Sequence, residues 1–299
     1  MIEAKGLSKK FGAKAALDKI DVAIGQGSIY GLVGSNGAGK STFLRLLAGV
    51  YSPDGGELLV DDCQLFENSS VKQRVFFISD YPYFFPHATV QSMAEYYSKL
   101  YAKWNAQKYA EMLRTFPIDP KLPISRMSKG MQRQAAIICA IACQPDYLLM
   151  DEIFDGLDPV MRQLLKRIVS GEVSDRGMTV IIASHNLREL EDFCDHVGLF
   201  HRGGVLFERE LDELKLGICK VQAVFRPMID PAVLTKLQII TSKVHGSILE
   251  LVVKNSQADA LAVLEELHPL TAEALPLTLE EVFISEMEVN GYDIDSILA

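Results

Sequence analysis

The chain has 299 residues, enough for one large or two modest domains. Its hydrophobic content of 48% is ample for a packed core, and a net charge of −9 argues against a surface that coats nucleic acid. Five cysteines, scattered and odd in number, speak against a disulfide framework and suit a reducing cytoplasm.

The opening M-I-E-A-K-G-L-S-K-K has no hydrophobic leader, and no apolar run is long enough to span a bilayer. Membrane association is therefore expected only through a partner. Short strand-like runs follow at Ile2–Ala4, Lys19–Ile24 and Ile29–Val33, punctuated by Gly12, Gly25 and Gly27. Phe11 precedes the first turn. Its flat ring suits either stacking on adenine or a place at the edge of the core.

The segment Gly34–Thr42 reads G-S-N-G-A-G-K-S-T and fits G-x-x-x-x-G-K-[ST]. A buried strand ahead of it and a helix from about Lys40 supply the strand–loop–helix context of a phosphate-binding loop. Gly34, Gly37 and Gly39 let the backbone turn tightly and present N–H groups to anionic oxygens, with Ser35, Asn36 and Ala38 between them. Lys40 is expected to reach the β- and γ-phosphates, and the Ser41 hydroxyl to bind Mg²⁺.

After a turn at Y-S-P-D-G-G-E come strands at Glu57–Asp61 and Val75–Ser79, then D-Y-P-Y-F-F-P-H-A-T-V. Met93, Tyr96, Tyr97, Leu100, Tyr101 and Trp104 recur at helical spacing and predict one face of a helix. Tyr81, Tyr83, Phe84 and Phe85 lie in a proline-flanked loop and offer a candidate docking patch. A second helical segment covers 107–123. Ser128 is a good N-cap for a helix from about Gly130 to Ala142 that holds Cys139 and Cys143 as small core residues.

Tyr147–Met150 reads as a buried strand with Asp151 and Glu152 at its carboxyl end, where parallel α/β sheets bind ligands. One carboxylate there can hold Mg²⁺ and a neighbour can orient or deprotonate water. A turn, I-F-D-G-L-D-P-V, leads into a helix over Pro159–Val169. The strand Val180–Ala183 then ends in Ser184-His185, which puts His185 at the same sheet edge as a candidate γ-phosphate contact. Val197–Phe200 and Val205–Phe207 read as a hairpin. Beyond about residue 216, strands at 219–226, 238–243, 247–253 and 271–276, with helices at 230–237, 256–267 and 279–287, suggest a small ferredoxin-like unit. The tail after Met287 is acidic and expected to be mobile.

G-S-N-G-A-G-K-S-T at 34–42, M-S-K-G-M at 127–131, Y-L-L-M-D-E at 147–152 and S-H at 184–185 together resemble the nucleotide-binding domain of an ABC transporter. The variant S-K-G-M and the ending P-L-T-L-E-E-V-F at 276–283 resemble the branch that serves two-component exporters of the drug-, antibiotic- or polysaccharide-efflux type. The resemblance implies an α/β P-loop ATPase domain over 1–215, with a mixed sheet and a helical subdomain near 88–140, and a small α+β domain over 216–299. It implies ATP and Mg²⁺ as ligands, a head-to-tail homo- or heterodimer, an integral membrane permease as partner, and a cytoplasmic place on the inner face of the membrane. Residue by residue, Glu152 would be general base and Asp151 a Mg²⁺ ligand. His185 would touch the γ-phosphate, Phe11 would stack on adenine, and Asp158 would cross the interface. Ser128 and Gly130 of one copy would face the other copy's nucleotide. Asp80 stands where the family has a glutamine that senses Mg²⁺, and Ile153 where it has proline. The competing expectation is a soluble ATPase of the same fold acting on the ribosome or DNA. The acidic balance speaks against that.

Overall fold

The computed structural model describes residues 1–211, 213 and 218–289. Of the tail expected to be mobile after Met287, residues 288 and 289 continue the last helix, and the rest, from 290, lies outside the described residues. The chain forms two compact units, Met1–Glu208 and Arg209–Ala299.

The first unit begins with β1 (Ile2–Phe11), β2 (Lys14–Ile24), β3 (Ile29–Val33), α1 (Lys40–Leu47), β4 (Gly55–Val60), β5 (Cys63–Gln64), α2 (Ser69–Lys72) and β6 (Val75–Ile78). Three helices follow, α3 (Val90–Leu100), α4 (Ala106–Thr115) and α5 (Lys129–Ala142). Then come β7 (Tyr147–Asp151), α6 (Pro159–Arg176), β8 (Thr179–Ser184), α7 (Leu187–Glu191), β9 (His196–His201) and β10 (Gly204–Glu210). Two sheets result, one in the order β2-β1-β4-β5 and one in the order β10-β9-β3-β8-β7-β6.

Every residue of β3, β7 and β8 is buried, as expected of parallel strands covered on both faces. The strands β9, β3, β8, β7 and β6 pair in parallel. Their register sets Val33 beside Ser184 and Ala183 beside Asp151. The segments that leave β3, β7 and β8 therefore emerge together at one sheet edge. Phe43, Leu44, Leu46 and Leu47 of α1 pack into the same core as Tyr147, Leu149 and Ile181. This anchors the helix that follows the phosphate-loop motif.

The structure departs from the sequence expectations in several places. β1 and β2 are longer than the runs at 2–4 and 19–24, because they continue as an antiparallel ribbon with polar, partly exposed residues. The helix expected through Trp104 stops at Leu100, and Tyr101 is already extended. Its buried residues are Val90, Met93 and Ala94, whereas Tyr96 and Leu100 are exposed, so the aromatic stripe is not one buried face. The helix α6 runs on to Arg176 and stops at Gly177 in the left-handed conformation, a usual helix end.

The second unit contains β11 (Cys219–Val224), β12 (Ile239–His245), β13 (Ile248–Val253), α8 (Gln257–Glu265), β14 (Thr271–Leu275) and α9 (Leu279–Val289). Its sheet runs β12-β13-β11-β14, with antiparallel pairing throughout. The helix expected at 230–237 shrinks to a 3₁₀ turn at Pro231–Val233. Leu234 and Leu237 instead enter the core with Val221, Ala223, Leu249 and Leu264.

Candidate functional site

Gly39 caps α1 with φ of 113°, and no side chain accepts a hydrogen bond from the first turn. The first-turn amides therefore lack a side-chain cap, and Lys40, Ser41 and Thr42 line a cleft, which is where a helix end binds an anion. Gly34 is required by space as well as by its φ of +145°: a Cβ there would lie 2.1 Å from the carbonyl oxygen of Phe200. Lys40 is buried, and its ammonium donates to the carbonyls of Gly34 and, at 3.2 Å, Ser35. Burial lowers the Lys40 pKa from its ordinary value, against the opposing pull of Glu152 and Asp151.

The Ser41 hydroxyl donates to Asp151 Oδ1 at 3.0 Å. Asp151 is fully buried, and its Oδ2 has no hydrogen-bond partner. Burial pushes its pKa up to about 6, although the Ser41 hydrogen bond opposes the shift. A hydroxyl and a buried carboxylate with a spare oxygen form the hard-oxygen donor set that Mg²⁺ prefers, so these residues fit the expected ion.

Glu152 follows in the left-handed region, with φ of 47°. Its Oε2 meets the Nδ1 of His185 at 2.9 Å. Asp155 lies close by, and one ligand atom from each of Glu152, Asp155 and His185 falls within 4.8 Å of the others. The strand register thus brings together the residues expected at the ends of β7 and β8.

A cleft of about 350 Å³ is lined by Phe11, Lys14, Ala16, the loop from Asn36 to Thr42, Asp80 and Glu152. Phe11 is exposed and meets Tyr51 edge-on at 5.3 Å, so its ring is available at the cleft. Asp80 accepts from the Tyr81 amide at 2.9 Å and sits 3.7 Å from the Arg45 guanidinium. Tyr81 and Tyr83 are 72% and 76% exposed and Phe85 is exposed too, while Phe84 is half-buried.

Ser128, Gly130 and Asp158 are not among the residues that line this cleft. Ser128 caps α5, accepting from the Met131 amide at 3.3 Å. A Cβ on Gly130 would come 2.8 Å from the Gly156 carbonyl oxygen. Asp158 caps α6 through the Val160 and Met161 amides at 2.9 and 3.0 Å. Sequence reasoning missed Arg45, Arg133 and Asp155. The first two act at long range, and only Asp155 carried a local signal, an acid two residues beyond the Glu152-Ile153 pair in the same turn.

Among the described residues no helix is long and apolar enough to cross a membrane. Residues 17–155 match the ABC transporter family. The ABC transporter ATP-binding protein YtrB of Bacillus subtilis is 28% identical over 96% of this chain and 98% of its own length. The bacitracin transport ATP-binding protein BcrA of Bacillus licheniformis is 30% identical over 72% of this chain and 71% of its own. A solved structure of the ATP binding subunit of an ABC transporter superposes with a TM-score of 0.67 at 25% identity, over 72% of this chain and 92% of that one.

Proposed function

The chain belongs to the ABC transporter family as an ATP-binding, ATP-hydrolysing subunit, and we propose that it energises a separate membrane permease of the antibiotic- or drug-export type. The observation that carries the reading is the single sheet edge at which the uncapped α1 terminus, the Ser41–Asp151 pair and the Glu152–His185 pair meet. The similarity to YtrB, an ABC transporter ATP-binding protein, covers 96% of the chain and so takes in most of the C-terminal unit as well.

In this reading the triphosphate lies on the amides of Gly34–Thr42 with Phe11 against the adenine. Lys40 offsets charge on the β- and γ-phosphates. Glu152 accepts a proton from the attacking water, and His185, bonded to Glu152 through Nδ1, contacts the γ-phosphate. Ser41 and Asp151 would hold Mg²⁺, with Asp80 reaching its water shell, and the ion would neutralise phosphate charge. Ser128 and Gly130 of a second copy close the site from the other side, adding the dipole of α5, and Asp158 lies at that interface. The exposed segment around Tyr81, Tyr83 and Phe85 meets the permease, so that closure and reopening drive it.

Replacing Glu152 with Gln tests the reading. Hydrolysis should fall by about 10²–10⁴-fold, and ATP should trap a dimer visible by light scattering. A Glu152→Gln protein that hydrolyses ATP at the wild-type rate would refute the catalytic assignment. An ATP-loaded variant that stays monomeric would refute the two-sided site.

A further inference from the structure

A second cavity, of about 550 Å³, adjoins the nucleotide cleft, and Asp80, Tyr81, Lys129, Arg133, Asp155 and Gly156 are among the residues that line it. Arg133 is its buried cation, 8% exposed, on the second turn of α5. One guanidinium nitrogen donates to the backbone carbonyl of Asp80 at 3.1 Å. Another would stand 3.2 Å from a Cβ on Gly156, and Nε is buried without a partner. The first turn of α5 meets the same segment directly, since Gly130 has no room for a Cβ against the Gly156 carbonyl.

Three segments therefore converge on one side chain. They are the Ser128–Arg133 turn, the Asp80–Tyr81 segment and the Asp155–Gly156 turn just beyond Glu152. In a head-to-tail dimer, Ser128 serves the nucleotide of the second copy while Glu152 serves its own. We infer that Arg133 is a positioning residue that ties these segments together, so that docking of the Ser128 turn on a second copy's nucleotide is registered at this copy's own Glu152. The inference rests on the two-sided site proposed above. A guanidinium suits this role because its planar fork donates one nitrogen to the Asp80 carbonyl while another packs beside Gly156, and low dielectric strengthens the hydrogen bond. A displacement of α5 is carried to the turn that positions Glu152, where small misplacements are costly to catalysis.

The test compares full-length wild type with Arg133→Met, which keeps bulk and removes every donor. In wild type, ATP hydrolysis should be cooperative, with a Hill coefficient approaching about 2, the ceiling for two sites. In Arg133→Met the coefficient should drop to about 1 and kcat should fall by about 10- to 100-fold. The affinity of the isolated protomer for a fluorescent ATP analogue should stay within about twofold, because Arg133 does not line the nucleotide cleft. Arg133→Gln, which shortens the side chain and removes the planar fork, should also lose cooperativity and serves if the Met variant does not bind nucleotide. Wild-type cooperativity in either folded variant, or a non-cooperative wild type, overturns the inference. Failure of the Glu152→Gln protein to dimerise with ATP is a separate outcome and overturns the two-sided site itself.

Discussion

The carboxyl edge of the β3-β8-β7 strands and the charged face of the C-terminal sheet solve the same problem in opposite ways. In the C-terminal unit Lys220 is largely covered, and its ammonium meets Glu281 at 2.7 Å and Glu250 at 3.2 Å. Glu281 also accepts from the Thr278 amide and hydroxyl, both at 3.0 Å. At the nucleotide edge Asp151 is fully buried with one oxygen unsatisfied, and Arg133 holds an unsatisfied Nε. Among the described residues, no buried side-chain polar atom without a partner lies in the C-terminal unit. Unmet polar groups cost stability, and they persist where a ligand or a moving segment completes them. Buried atoms without a partner also occur at Tyr109 and His201, so an unmet group does not mark the site by itself; at Asp151 it coincides with the Ser41 hydroxyl and the phosphate loop, and that coincidence does.

The largest expected contrast comes from two glycines. Gly34→Ala places a methyl against the Phe200 carbonyl at a φ of +145° that L-residues do not adopt. It should abolish binding of a fluorescent ATP analogue and cost several kcal/mol in urea unfolding, on the order of 3 or more. Gly246→Ala in the C-terminal unit also has positive φ, at +65°, but meets open space. It should cost only about 1 kcal/mol and leave nucleotide affinity unchanged. Equal effects on nucleotide binding would break the distinction between the two regions.

Charge removal gives the next contrast. The Asp151 carboxyl has its pKa raised by burial to about 6, so at pH 7 the folded nucleotide-free chain carries a carboxylate it would hold more easily protonated. The destabilisation is full above about pH 6 and fades as pH falls toward the ordinary carboxylate range. Asp151→Asn should therefore raise the melting temperature of the nucleotide-free protein by about 2–8 °C at pH 7, with the gain shrinking by pH 4.5, while abolishing Mg²⁺-dependent turnover. Lys220→Met should do the reverse. It removes the Lys220 ammonium from Glu250 and Glu281, costing about 1–3 kcal/mol, and leaves the ATPase rate unaltered. A stabilising Lys220→Met or a destabilising Asp151→Asn would erase the contrast.

How much of this was legible in the sequence follows from how local each signal is. The phosphate loop was readable because its glycines, Lys40 and Ser41 fall within nine consecutive residues between an apolar strand and a helix. Ser128 was readable as a cap because capping is settled within three residues. The end of α3 was not. The Tyr101 hydroxyl bonds the Val75 carbonyl at 3.1 Å and its ring packs on Phe76, so a distant strand draws Tyr101 out of the helical register. Likewise Asp230 and Pro231 begin a helical turn, but burial of Leu234 and Leu237 takes the chain elsewhere. The grip of Arg133 on Asp80 spans 53 positions, and no sequence window holds both.

The smallest expected effect is at Asp80, where the two kinds of network overlap. Its carboxylate is half satisfied, by the Tyr81 amide and by Arg45 at 3.7 Å, and both members of that ion pair are about one-third exposed. Such a pair contributes at most about 1 kcal/mol. Asp80→Gln keeps the backbone carbonyl that Arg133 holds, so the aromatic segment should stay in place and stability should barely change. What it removes is a negative charge from the cleft, which weakens attraction for a cation and relieves repulsion of the triphosphate. The half-saturating Mg²⁺ concentration should rise and the KM for ATP should fall, each by about two- to fivefold. Titrating Mg²⁺ at fixed ATP, and ATP at fixed free Mg²⁺, separates the two. If neither moves, Arg45 already neutralises the carboxylate and Asp80 belongs with the completed networks, like Lys220, rather than with the site.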